Sequence, residues 1–350
     1  MSILAIEGGH KLSGSVEVEG NKNSALPLLA ACLLTTEECV LANVPRIGDV
    51  EVMARLLIDL GATVDGIGTT TLRVRCATVL KDEPDPALVG RLRGSVLLFG
   101  PLLARRGRAR LAPPGGDFPA RRTISTHLEA LAAMGARMVV HEGHALEVPD
   151  GLKPASIYLY EASVTVTETA LLAAAAAPGV SEIRHAACEP HVAELCAFLR
   201  RLGVGVTGGG TSTIRIEGGA RLHGAEHRLY GDYIEAGSWA VVAAVTGGEI
   251  AVNGARPEDM EVVAAVLKRM SIECAMDGDV FTVSRSSPLA AGRITTGLWP
   301  GFPSDLVSLV TVLATQAAGQ TLVHDWLYEL RLFALEQLSG MGADLFLADA

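Results

Sequence analysis

Leu57-Ile58-Asp59-Leu60-Gly61-Ala62-Thr63-Val64 reads as the last turn of a helix, a small residue that stops it, and the opening of a strand. The same form recurs as LAAMGARM at 131–138, LRRLGVGV at 199–206, LKRMSIEC at 267–274 and LSGMGADL at 338–345. The interval is about 70 residues, the scale of one supersecondary unit in a repeated architecture. Each amphipathic helix stops at a small residue suited to a left-handed cap: Gly61, Gly135, Gly203, Ser271 and Gly342. Alternating strands precede the helices, as in Ser13 to Glu19, where Val16 and Val18 alternate with Glu17 and Glu19. Such a unit is too large for a thin solenoid blade and too small for a comfortable domain, so the copies are expected to cluster. Two clusters of three need six copies. Five are present, and the chain ends at Ala350 just after the fifth signal.

The 350 residues are 49% hydrophobic and 19% charged, enough for two cores of α/β structure. A net charge of -10 argues against a general nucleic-acid binder, which needs a basic field to displace counterions. The basic run Arg105, Arg106, Arg108 and Arg110 reads as a solvated face where a helix hands over to a strand. Apolar stretches such as Ala170 to Ala177 fall short of the roughly 18 residues a spanning helix needs. The N-terminus has no charged start followed by an apolar run and a cleavage site, so a cytoplasmic protein is expected. The six cysteines form no C-x-x-C pair and read as reduced, mostly buried thiols.

Several segments carry residue types suited to chemistry. Gly20-Asn21-Lys22-Asn23-Ser24-Ala25-Leu26-Pro27 leads from a strand into an apolar helix beginning near Ser24. Lys22 then stands at a helix N-terminus, where free N–H groups and the dipole favour a phosphate or carboxylate. Asn23 taken alone reads as the N-cap. Arg93 is followed by the loop 113–122, whose two prolines and two glycines build in its turns and which brings Asp117, Arg121 and Arg122, with His127 behind it. Ser163-Val164-Thr165-Val166-Thr167-Glu168 reads locally as a capped helix start with Glu168 in the first turn. Asp305, in Phe302-Pro303-Ser304-Asp305-Leu306, fits either a helix cap or a site carboxylate. Glu329 and Arg331 are two apart and do not share a helix face. Gly203-x-Gly205-x-x-Gly208 follows a helix and enters a strand, the reverse of a dinucleotide fingerprint. His185, His191, His223 and His227 lack a metal-ligand spacing and read as structural or solvated.

In order and spacing, G-N-K-N-S-A-L-P, P-G-G-D, R-x-x-x-x-H, S-V-x-x-T-E, F-P-S-D-L and E-x-R together resemble the signature of the cell-wall enolpyruvyl transferases, which are related to EPSP synthase. The likeness runs from Gly8 to Asp344. It implies two lobes of repeated strand-helix units around buried helices, an inside-out α/β barrel, with the chain crossing near Asn21 and Tyr230. One lobe is then 22-229, with three repeats. The other is 1-21 with 230-350 and is expected to lack its last repeat.

The resemblance implies phosphoenolpyruvate and UDP-N-acetylglucosamine as substrates, with no metal or cofactor and no nucleic-acid or membrane partner. By the same resemblance Asp305 is the base facing the sugar hydroxyl, and Asp117 is the acid on the loop. Lys22, Arg93 and Arg122 neutralise phosphate, and Arg331 holds a carboxylate by a bidentate fork. Asn23 is placed for the sugar and Ser163, Val164 and Thr165 for its diphosphate, with His127 and Leu327 also among the substrate contacts. Asp117 stands where many members have Cys. Thr123-Ile124-Ser125 replaces the usual Pro-Val-Asp, and Tyr233 stands where many have Arg, which keeps another nucleotide or alcohol acceptor, or a non-catalytic ligand-binding paralogue, in view.

Overall fold

The computed structural model describes residues 4–115, 123–328 and 331–348. The chain divides into two compact units, Gly20–Tyr230 and Met1–Glu19 with Gly231–Ala350.

In Gly20–Tyr230 the same order occurs three times: a buried helix, a strand, an amphipathic helix and two antiparallel strands. The buried helices are Lys22–Ala31, Phe99–Arg106 and Val164–Ala176. The first and third are apolar nearly all round, as helices in the middle of a unit must be, with Ser24 to Ala31 and Val166 to Ala175 all buried. At Gly100 an added Cβ lies 2.9 Å from Leu172 Cβ and 3.0 Å from Ala173 N, so only glycine lets the second and third helices meet this closely. The amphipathic helices Gly48–Asp59, Ser125–Ala133 and Pro190–Arg201 cover this centre with one face each.

The strands lie outside, in three separate open sheets. Their orders run Glu226–Arg228, Cys39–Ala42, Thr71–Arg75, Thr63–Asp65; then Arg108–Leu111, His144–Glu147, Arg137–Met138; and Gly205–Thr207, Thr213–Gly218, Gly179–Arg184, Ser156–Tyr158. Helices inside and sheets outside is the expected arrangement, and among the described residues the sheets do not close into a barrel. Alternation sets the faces: in Thr71–Arg75 only Leu72 and Val74 are buried. Ser156–Tyr158, at the end of the second repeat, pairs parallel with Gly179–Arg184 of the third. Glu226–Arg228, at the end of the third, returns to pair parallel with Cys39–Ala42 of the first.

The basic run is a solvated face only in part: Arg106 and Arg108 are exposed, while Arg105 and Arg110 are half-buried. Arg105 donates to the carbonyls of Leu33, Thr35, Cys76 and Ala77 at 2.8, 3.1, 3.2 and 2.9 Å. Arg108 and Arg110 pair with Asp82 at 2.8 and 3.5 Å. A guanidinium has five donors in a fixed fork, so one side chain can satisfy four orphan carbonyls at once.

The other unit repeats the order once in full: helix Tyr233–Thr246, strand Glu249–Asn253, helix Pro257–Arg269, and strands Glu273–Asp277 and Val280–Ser284. Ser13–Glu17 adds to this sheet, parallel to Glu249–Asn253. Arg293–Thr295 and Leu322–His324 then pair in parallel across the helix Val307–Ala314. Left-handed backbone ends each helical phrase, at Gly61, Gly135, Gly203 and Gly342 with φ of 104°, 94°, 102° and 93°, and at Ser271 with φ of 65° despite its side chain. The fifth phrase differs from the expected amphipathic α-helix. Phe333–Met341 is a 3-10 helix with no buried residue, and Phe333 and Met341 are 53% and 83% exposed. An amphipathic stretch owes most of its helical stability to burying its apolar face, and here Leu335 and Leu338 are only half-buried.

Candidate functional site

The helix at the first motif begins two residues earlier than expected. Asn21, not Asn23, is its cap: Asn21 Oδ1 accepts from the N–H groups of Asn23 and Ser24 at 2.7 and 3.3 Å. Asn21 is extended at this point and its own N–H donates to the Tyr230 carbonyl at 2.9 Å, which leaves its side chain aimed at the first turn. Asn23 thereby sits half-buried in that turn, and Lys22 is exposed. Lys22 Nζ meets Asp49 at 2.8 Å, both half-exposed, so the pair holds the ammonium only weakly.

Arg93 starts the 3-10 helix Arg93–Leu98 and donates to the Thr123 carbonyl at 3.0 Å. This short helix packs against both Lys22–Ala31 and Val164–Ala176. His127 Nε2 lies 3.0 Å from Thr165 Oγ1, which ties two helix starts together, and the Arg93 guanidinium acts on the His127 ring electrostatically. Asp117 and Arg122 lie outside the described residues. Ser163 precedes Val164–Ala176 without a side-chain cap bond. Its carbonyl accepts from Thr167 N and Oγ1, leaving the hydroxyl available. Val164, half-buried, packs on the core. Glu168 is not the first-turn acid of a capping box: it is buried within the helix. Burial, and then the charge of Glu189, push it well above the usual carboxylate range.

His127 is only 2% exposed. Burial, and then the Arg93 guanidinium, lower it from 6.5 to about 4. The unfolded chain therefore binds this proton first, and the His127 contribution is complete above pH 6.5 and lost as pH falls toward 4. Thermal unfolding from pH 7 to 4 should show the parent losing up to about 3 kcal/mol more than His127→Asn. Parallel pH slopes for the two proteins refute this.

In the other unit Asp305 is not a cap. It lies inside the 3-10 helix Ser304–Leu306, whose cap position is Pro303, and its Oδ1 meets Arg331 Nη1 at 2.8 Å. The Arg331 guanidinium carbon stands 4.1 Å over the Tyr328 ring, a cation–π contact. Nη1 also donates to Ser304 Oγ at 3.0 Å. Leu327 joins the group through its N–H, which donates to Asp325 Oδ1 at 3.2 Å. Asp305, Leu327 and Arg331 thus come together.

Two acids escaped the sequence reading. One is Asp325. The other is Glu194, 1% exposed, which accepts from Ser24 Oγ, from the Tyr230 N–H at 2.8 Å, and lies 2.8 Å from His227 Nε2. Glu194 anchors the very segment that carries Lys22 and Asn23. The available signal was a Glu on the apolar side of its helix, followed by Leu195 and Cys196. His227, read as structural or solvated, is structural.

The EPSP synthase (3-phosphoshikimate 1-carboxyvinyltransferase) family profile matches residues 6–348. The chain belongs to this family. Within it, the chain is 38% identical to the UDP-N-acetylglucosamine 1-carboxyvinyltransferase of Treponema denticola, over 98% of this chain and 82% of that one. It is 41% identical to the protein of the same name from Bradyrhizobium diazoefficiens, over 98% and 81%, and 38% to that of Treponema pallidum, over 100% and 84%. The enolpyruvyl transferase NikO from Streptomyces tendae has the same fold, with a TM-score of 0.88 and 24% identity over 98% of this chain and 82% of that one. EPSP synthase from Acinetobacter baumannii follows with a TM-score of 0.66 and 21% identity, over 90% and 74%. Among the described residues, no helix is long and apolar enough to cross a membrane.

Proposed function

We propose that the chain moves the enolpyruvyl (carboxyvinyl) group of phosphoenolpyruvate to the 3-hydroxyl of UDP-N-acetylglucosamine, the first committed step of peptidoglycan synthesis. The observation that carries this reading is the near-full-length likeness, at 38–41% identity, to relatives bearing that enzyme's name. The residue types in the motifs support it.

In this assignment Asp305 accepts the proton of the sugar hydroxyl as its oxygen adds to C2, and Asp117 supplies a proton to C3. Loss of phosphate and of a C3 proton then restores the double bond. Lys22, Arg93 and Arg122 offset the phosphate charge, and Arg331 takes the carboxylate. Asn23 serves the sugar and Ser163, Val164 and Thr165 the diphosphate, with His127 holding Thr165 and Leu327 bordering the acceptor. Cytoplasmic location belongs to the same proposal, supported by six unbridged cysteines.

Phosphate release from phosphoenolpyruvate with a panel of acceptors tests the reading. Release with UDP-N-acetylglucosamine alone supports it. Release with 3-phosphoshikimate or a free nucleotide instead, or with no acceptor at all, refutes it.

A further inference from the structure

Asp325 follows the strand Leu322–His324 and gathers three donors. Its Oδ1 accepts from Thr296 Oγ1 at 2.6 Å and from Leu327 N at 3.2 Å, and its Oδ2 accepts from Ser304 Oγ at 2.7 Å. A serine hydroxyl has a single hydrogen to give. With that hydrogen committed to Asp325, the Ser304 oxygen turns lone pairs toward its other neighbour, Arg331 Nη1, at 3.0 Å. The same nitrogen is 2.8 Å from Asp305 Oδ1. Charge-assisted bonds hold geometry better than neutral ones, so an ionised acceptor at 325 fixes the Ser304 rotor and through it the guanidinium.

We propose that Asp325 is a positioning residue, which acts through Ser304 to hold the Arg331 guanidinium in register beside Asp305. The proposal rests on the assignment of Arg331 to the carboxylate of phosphoenolpyruvate. It adds a group that touches neither substrate and sets how tightly one of them is held. The competing account is that Asp325 merely ties the loop together through Thr296 and Leu327. Asparagine separates the two, because its Oδ1 keeps both of those bonds while its amide presents hydrogens to Ser304 and frees the hydroxyl to rotate.

The experiment uses the full chain with Asp325→Asn, Ser304→Ala and the double variant, measuring KM and kcat for each substrate alongside thermal unfolding. Positioning through Ser304 predicts that Asp325→Asn raises KM for phosphoenolpyruvate about tenfold, leaves KM for UDP-N-acetylglucosamine within about twofold, and lowers Tm little. Ser304→Ala should do the same, and the double variant should be no worse than either single change, since both break one chain. Additive effects overturn the proposal, as does an unchanged KM for phosphoenolpyruvate, or a loss of Tm accompanied by equal losses in every kinetic constant. Should the parent turn over no acceptor, the functional reading fails by itself. The relay is then judged by NMR of the Arg331 side-chain N–H groups: slow hydrogen exchange in the parent that speeds up in Asp325→Asn supports it, and equal exchange in both overturns it.

Discussion

Asp305→Asn should reduce turnover by roughly two to four orders of magnitude while leaving the fold nearly as stable as before. The amide keeps the size and shape of the side chain but cannot take a proton from the acceptor hydroxyl. Its structural losses are small. No helix cap depends on Asp305, since the cap position of its short helix is Pro303. Its ion pair with Arg331 involves a carboxylate that is half exposed, and such pairs contribute about 1 kcal/mol or less. Arg331 also retains Ser304 and the Tyr328 ring. Steady-state phosphate release and a thermal melt on the same preparation decide the matter. A variant that keeps its rate within tenfold, or whose rate loss follows from unfolding, is incompatible with Asp305 as the base.

Glu194→Ala should have the largest effect on stability, about 3–5 kcal/mol. The side chain is fully enclosed and serves the Ser24 hydroxyl, the Tyr230 N–H and the His227 ring from one carboxylate. Removing it leaves three buried polar groups without their acceptor and a cavity beside Phe198 and His227, whose rings meet edge to face. A loss of that size is a large part of the 5–15 kcal/mol that holds a typical domain together. Glu194→Gln keeps one acceptor oxygen and the volume, and should lose clearly less. Denaturant unfolding of both variants measures the difference. A change below 1 kcal/mol for alanine is inconsistent with this network anchoring the Lys22 segment.

What the sequence made legible is what depends on neighbours along the chain. The stops at Gly61, Gly135 and Gly203 are local, because a left-handed residue ends a helix whatever surrounds it. The apolar runs of Lys22–Ala31 and Val164–Ala176 announce burial for the same reason. Less legible was which of two adjacent asparagines caps a helix, since Asn21 is selected by the anchoring of its N–H on Tyr230, far along the chain. Glu194 and Asp325 were invisible for a related cause. Their partners stand 170 residues away at Ser24 and 21 away at Ser304, and no local pattern marks a carboxylate whose donors come from elsewhere. Arg105 shows the converse error: four arginines in six positions suggest a charged surface, yet this one is occupied by backbone carbonyls. Glu168 reads as a capping acid only until the helix is seen to bury it.

The return of Glu226–Arg228 to the sheet of the first repeat has a consequence for how the unit is made. Cys39–Ala42 leaves the ribosome early, but its parallel neighbour is among the last strands of the unit to emerge. The Gly224 N–H and the Glu37 carboxylate that receives it are 187 residues apart. Until that length is synthesised, the first sheet has an unpaired edge, the kind of surface that recruits other chains. Joining its two ends is a long-range contact of the sort that slows folding, because the loop must be closed before the pairing rewards it. The three repeats are therefore tied in a ring by their final strand, and a nascent chain that stops before residue 226 contains nearly all of the core without its closing stitch.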